Sequence, residues 1–203
     1  VVAVTESSPD EAAPIRVLVA EDEAVIRMDL VEMLTELGYE VVAEAFNGQQ
    51  AVDLVREKQP DLAFLDIAMP VRDGLSAAEE ISDEHMCAVV MVTAFSQRDV
   101  ATKAAEAGAV GYVVKPFTMA DLEPSITLAL ARWRQIQDLR GQVESLGERA
   151  KAREVVEQGK AVLQERFGMT EPQAFAWLRR SAMDRRVTLS EAAAALLTGQ
   201  VTP

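Results

Sequence analysis

The chain has 203 residues, 33 Asp plus Glu against 20 Lys plus Arg, and a formal net charge of −13. Apolar residues make up 49% and charged residues 26%, the balance of a globular chain with room for one large or two small domains. The lone cysteine, Cys87, and the lone histidine, His85, exclude an intramolecular disulfide framework, a cysteine-rich zinc module and a multi-histidine metal site, and no apolar run approaches the roughly 20 residues that span a bilayer.

Residues 1–14 are polar, acidic and broken by proline, and are expected to form a disordered tail. They carry no basic segment of a secretory signal, so a soluble cytoplasmic protein without membrane contact is expected. Arg16–Ala20 then reads as a buried strand, and Glu23–Leu37 as an amphipathic helix with Val25, Ile26, Leu30, Met33, Leu34 and Leu37 inward and Gly38 as its stop. Strands follow at Tyr39–Ala45, Leu62–Asp66, Ala88–Thr93 and Gly111–Lys115. Helices fall between them at Gln49–Lys58, Leu75–Ser82 and Asp99–Ala107, the last closed by Gly108. Five strand–helix alternations in about 120 residues predict an α/β domain whose parallel sheet is covered on both faces.

Thr118 and Asp121 open the next helix as a capping pair, with Pro124 in its early turns. Leu122, Ile126, Ala129, Trp133, Ile136, Leu139, Val143 and Leu146 follow at near-heptad spacing, so residues 124–150 form a linker helix. The 122–146 row fits a two-stranded coiled coil joining two copies, or one long helix resting on its own domains. Residues 151–203 hold three helical patterns. The first carries Val155, Val156, Val162, Leu163 and Phe167 and ends at Gly168. The second opens at Thr170 with Gln173, and the third at Thr188 with Glu191.

The chemistry gathers at the ends of the strands. Glu21 and Asp22 follow strand one, Asp66 ends strand three, Thr93 ends strand four and Lys115 ends strand five. In an open parallel sheet of order 2-1-3-4-5, ligands bind beyond these ends, at the switch point between strands one and three. Three converging carboxylates would repel one another unless a hard divalent ion such as Mg²⁺ joins them. With the Thr93 hydroxyl and the Lys115 ammonium, the set suits a phosphoryl group, and Asp66 is the central carboxylate able to accept it. Taken singly, each acid could be a helix cap or a surface charge, Asp22 above all.

The stretches VLVAEDE, PDLAFLDIAMPVRDG, VVMVTAF and GYVVKPF, in that order, resemble the receiver domain of two-component response regulators over residues 15–123. The resemblance implies a flavodoxin-like (βα)5 fold and phosphorylation of Asp66 by a sensor histidine kinase. It implies Mg²⁺ held by Asp22, Asp66 and the carbonyl of Ala68, with Glu21 acting through a water. Thr93 and Lys115 would hold the phosphoryl oxygens, Thr93 and Tyr112 would form the switch, and Lys115–Pro116 would be a cis bond. Glu21 stands where the family often has Asp.

Charge is split along the chain: residues 1–123 hold 8 basic and 24 acidic side chains, residues 151–203 hold 8 and 6. A polyanion would therefore meet the C-terminal module. The string VEQGKAVLQERFGMTEPQAFAWLRRSAMDRRVTLSEAAAALL resembles the ANTAR domain, an all-α three-helix RNA-binding bundle. That resemblance implies phosphorylation-dependent transcription antitermination through RNA stem-loops of nascent transcripts, and two modules side by side. Arg179, Arg180, Arg185 and Arg186 are then candidate RNA contacts, Lys160 and Arg166 are further cations, and Ala174, Phe175, Leu178, Ala182 and Met183 are the candidate core. Phe167, Phe175 and Trp177 are expected inside rather than stacked on bases. A DNA-binding output and a protein-docking module are the competing readings. The last helix, LSEAAAALL, lacks base-reading side chains, and the module lacks the convergent nucleophile and base of an enzyme.

Overall fold

The structure, a computed structural model, describes residues 13–94 and 98–203, with the side chains of 98–100 left aside. Most of the tail expected over residues 1–14 lies outside the described residues. The chain divides after Ile136 into two compact units.

In the first unit, strands β1 (Arg16–Ala20), β2 (Glu40–Ala45), β3 (Leu62–Asp66), β4 (Ala88–Thr93) and β5 (Gly111–Val114) form one sheet in the order β2-β1-β3-β4-β5, and every pairing is parallel. Helices α1 (Ala24–Glu36), α2 (Gly48–Lys58), α3 (Gly74–Asp83) and α4 (Arg98–Glu106) connect them. The two-residue side-chain period of a strand divides the core. Leu18, Ala63, Leu65, Val89 and Met91 face α2, α3 and α4, while Val17, Val19, Phe64, Val90 and Val92 face α1 and the start of α5 (Met119–Phe167). Strands β3 and β4 are buried along their whole length, which is why they read as unbroken apolar runs.

Helix α1 buries Leu30 and Leu34, whereas Val25, expected inward, is 73% exposed. Five residues separate Val25 from Leu30, which turns it about 140° away from the core face. Helix α2 is capped by Asn47 Oδ1, which accepts from the N–H of Gln50 at 2.9 Å, and α3 by Asp73 Oδ1, which accepts from Ser76 at 2.8 Å. Gly74 is required where it stands, because a Cβ there would lie 1.9 Å from the carbonyl oxygen of Asp66.

The linker helix and the first helix of the C-terminal bundle, read separately from the sequence, are one helix, α5. Gly141 and Gly147 lie inside it without ending it. A single helical glycine costs about 1 kcal/mol, and Glu, Arg, Lys, Gln and Ala dominate the surrounding positions. The apolar row of α5 changes role along its length. Leu122, Ile126 and Ala129 are fully buried in the receiver core and Trp133 packs against it, so the seam expected over 122–146 is taken up in its first half. Ile136, Leu139, Val143 and Leu146 are 38, 54, 68 and 63% exposed.

In the second unit, the end of α5, α6 (Glu171–Arg185) and α7 (Leu189–Leu197) enclose Leu163, Ala174, Leu178, Ala193 and Leu196, with Trp177 packed against them. The Thr188–Glu191 capping box is complete, with Thr188 N–H donating to Glu191 Oε2 at 2.7 Å and Glu191 N–H to Thr188 Oγ1 at 3.2 Å. Thr170 N–H donates to Gln173 Oε1 at 2.8 Å in the same way. Gly159 admits the bundle's close packing, since a Cβ there would lie 3.0 Å from Ala193 Cβ.

Candidate functional site

Beyond the C-terminal edge of the sheet, β1 delivers Glu21 and Asp22, β3 ends on Asp66, β4 ends on Thr93, and Lys115 follows β5. One carboxylate oxygen from each of Glu21, Asp22 and Asp66 lies within 4.8 Å of the others. Lys115 Nζ stands 2.6 Å from Glu21 Oε2 and 2.9 Å from Asp66 Oδ1. Glu21, Asp66 and Thr93 are 1, 5 and 1% exposed, while Asp22 is on the surface. Asp22 does not cap α1, whose N-cap position is Glu23 with no side-chain bond.

Hydrogen bonds hold the strand ends that carry these side chains. Ala68 N–H donates to Asp66 Oδ2 at 3.1 Å, Lys115 N–H to the carbonyl of Thr93 at 2.7 Å, and Arg27 Nη1 to the carbonyl of Glu21 at 2.7 Å. The Lys115–Pro116 bond is cis. The β3–α3 loop turns tightly at Val71, whose φ is 67°, with Arg72 N–H donating to the carbonyl of Pro70 at 2.7 Å. Tyr112, on edge strand β5, is 50% exposed.

Burial raises the Glu21 carboxyl above its usual range, against the hydrogen bond from Lys115, and the neighbouring Asp66 charge adds to the rise. Burial would lower the Lys115 ammonium, but its bonds to Glu21 and Asp66 outweigh that and hold it above its ordinary value. Two buried carboxylates thus share one ammonium, with the third carboxylate, Asp22, at the rim. An all-oxygen donor set of three converging carboxylates fits a small hard divalent ion better than zinc or a soft metal.

The sequence of the first unit, residues 17–127, matches the family model of the response regulator receiver domain, and residues 144–197 match that of the ANTAR domain. The chain belongs to the response regulators that join a receiver to an ANTAR domain. It is 52% identical over 194 residues to the transcriptional regulatory protein PdtaR of Mycobacterium tuberculosis, covering 96% of this chain and 95% of that protein. The chemotaxis protein CheY of Bacillus subtilis is 42% identical over 103 residues, half of this chain and 86% of its own length. Among solved structures, the receiver domain of the response regulator NarL from Mycobacterium tuberculosis superposes with a TM-score of 0.56 at 27% identity, covering 58% of this chain and 97% of that one. This response regulator is therefore a signalling protein with an RNA-binding output domain, and none of its described helices is long and apolar enough to cross a membrane.

In the ANTAR unit, Arg179, Arg180, Arg185 and Arg186 are all exposed, and among the described residues none of the four has an ion-pair partner. Lys160 differs: it is nearly buried and bonded to Glu157 at 2.8 Å and Glu171 at 2.9 Å, so its charge is consumed in anchoring α6 to α5. The core expected from the sequence holds for Ala174, Leu178 and Ala182 but not for two larger members. Phe175 is 44% and Met183 69% exposed, and Phe167, also expected inside, is 44% exposed. The core of this unit is built largely of alanine and leucine, so its helices pack closely and the larger side chains at the edges of the inward stripe are left outside.

Proposed function

We propose that the protein is phosphorylated on Asp66 by a sensor histidine kinase and that the modification switches RNA stem-loop binding by its ANTAR domain, leading to transcription antitermination. The carboxylate cluster with Lys115 bonded to both Glu21 and Asp66 is the observation that carries this reading. An Asp66 oxygen attacks the phosphorus, an O–P bond forms, and the P–N bond to the donor imidazole breaks. Lys115 neutralises the incoming phosphoryl oxygens and the Thr93 hydroxyl donates to one of them. Asp22 and Asp66, with the Ala68 carbonyl, would hold Mg²⁺ directly and Glu21 through a water; bound there, the ion offsets the charge that develops on the transferring group.

Phosphorylation adds about −1.5 to −2 charges and three acceptor oxygens. Shifting a two-state equilibrium 100-fold takes about 2.7 kcal/mol, within reach of one or two charge-assisted hydrogen bonds. Thr93 moving toward the phosphate leaves room for Tyr112, half exposed here, to follow inward and alter the α4–β5 surface. A second copy is the partner suggested for the exposed row of α5. Ile136 and Val143 alternate with Leu139 and Leu146, the β-branched and leucine pattern that favours a parallel two-stranded coiled coil.

The test is RNA binding by the full-length chain with Mg²⁺, with and without acetyl phosphate. The donor is expected to tighten stem-loop binding by the wild type and leave Asp66→Asn unchanged. An Asp66→Asn protein that still responds to the donor would contradict the reading.

A further inference from the structure

Helix α6 carries on its outer side a row that core packing does not account for. Phe175, Arg179 and Met183 follow one another at four-residue intervals and so lie on one face. All three are exposed, Phe175 by 44% and Met183 by 69%. The interior of the unit closes without them on Leu163, Ala174, Leu178, Ala193 and Leu196, with Trp177 packed alongside. Arg179 and its neighbour Arg180 have no ion-pair partner among the described residues, whereas Lys160 of the same unit has two.

An aromatic face beside an uncompensated guanidinium suits a nucleic acid better than a second copy of the same helix. Across a two-fold axis the arginines would confront one another, while phosphates discharge them. Duplex RNA hides its bases, but a hairpin loop presents unstacked ones whose flat faces an aromatic side chain can cover.

Resting on the RNA-binding reading above, we propose that Phe175 is the platform on which one unpaired loop base stacks, with Arg179 holding the adjoining phosphate and Met183 bordering the same base. Phe175 thereby helps the domain distinguish an open loop from a paired stem, a task that a phosphate contact cannot perform because every nucleotide carries a phosphate.

The experiment selects stem-loops from a pool with randomised loops on the full-length protein. Affinity for the selected hairpin is then measured against KCl concentration for the wild type, Phe175→Leu, Phe175→Trp and Arg179→Ala. Phe175→Leu is expected to weaken binding roughly 5- to 100-fold at every salt concentration without changing the slope, and Phe175→Trp to keep the affinity. Arg179→Ala is expected to lower the salt slope by about one unit. A 2-aminopurine placed at the stacked loop position should lose fluorescence on binding the wild type and not on binding Phe175→Leu, a readout that a merely structural role would not move. Wild-type affinity in Phe175→Leu together with a reduced slope in Arg179→Ala overturns the stacking role and leaves RNA binding standing. Altered self-association in Phe175→Leu with unchanged RNA affinity assigns the face to a second copy instead. Failure of the wild type to select any hairpin overturns the RNA reading and this inference with it.

Discussion

The ammonium of Lys115 lies 2.6 Å from Oε2 of Glu21, a carboxylate only 1% exposed. This ion pair joins the end of β5 to the end of β1, and the same ammonium holds Asp66 of β3. Removing it leaves two buried carboxylates facing each other. Breaking a buried pair from one side costs about 3–5 kcal/mol. Lys115→Met should therefore lower the stability of the first unit by an amount of that order, as read by urea denaturation. Because a divalent ion then becomes the main counter-charge, Mg²⁺ should raise the melting temperature of the variant more than that of the wild type. No Mg²⁺-induced shift in either protein would argue against a cation site among these carboxylates.

Val71 is β-branched, has a φ of 67° and is 88% exposed. A side chain in so rare a region is under backbone strain of about 1–3 kcal/mol, and here no burial offsets it. Val71→Asn should stabilise the protein by about 1 kcal/mol in chemical denaturation, since asparagine tolerates this conformation. A loss of stability would show that the valine makes a contact worth more than the strain.

Cys87, just before β4, is buried in the core cluster that also holds Ile81 and Val89, and burial pushes its thiol up to about 12. The folded state thus keeps a proton that the unfolded chain gives up near pH 9. Stability from this group is fully present below pH 9 and falls as the pH rises from about 9 to 12, by at most about 1.4 kcal/mol per pH unit. Cys87→Ala should flatten that alkaline decline in melting experiments between pH 8.5 and about 10.5, and the native thiol should resist iodoacetamide at pH 8.

The exposed stretch of α5 gives a sedimentation test. A charge in the middle of the row, Val143→Glu, should lower self-association of the full-length chain, while Leu122→Glu, in the receiver core, should unfold the first unit instead. If neither the wild type nor its phosphorylated form associates, α5 does not join two copies.

Much of this was legible from residues alone, for definable reasons. The buried runs of β3 and β4 and the end positions of Asp66 and Thr93 follow from alternation and strand length, and the Thr188–Glu191 box from its spacing. Other features depend on tertiary contacts that no local pattern carries. The row on α5 looks uniform, yet Leu122 meets a sheet and Val143 meets solvent. Phe175 and Met183 have core-like chemistry but stand at the edge of a stripe whose width is set by how closely α5, α6 and α7 pack. Lys160 looks like a free cation until Glu171 is folded beside it. Glu21 in place of the family's aspartate was visible, but its contact with Lys115 was not.

Phosphoryl transfer to Asp66 is read by mass spectrometry of the intact protein after incubation with acetyl phosphate and Mg²⁺. The wild type should gain the mass of a single PO₃ unit, released by mild base and mapped to the Asp66 peptide, and Asp66→Asn should gain none. Equal uptake by Asp66→Asn, or a wild type that stays unmodified with donor and Mg²⁺ both present, would contradict it.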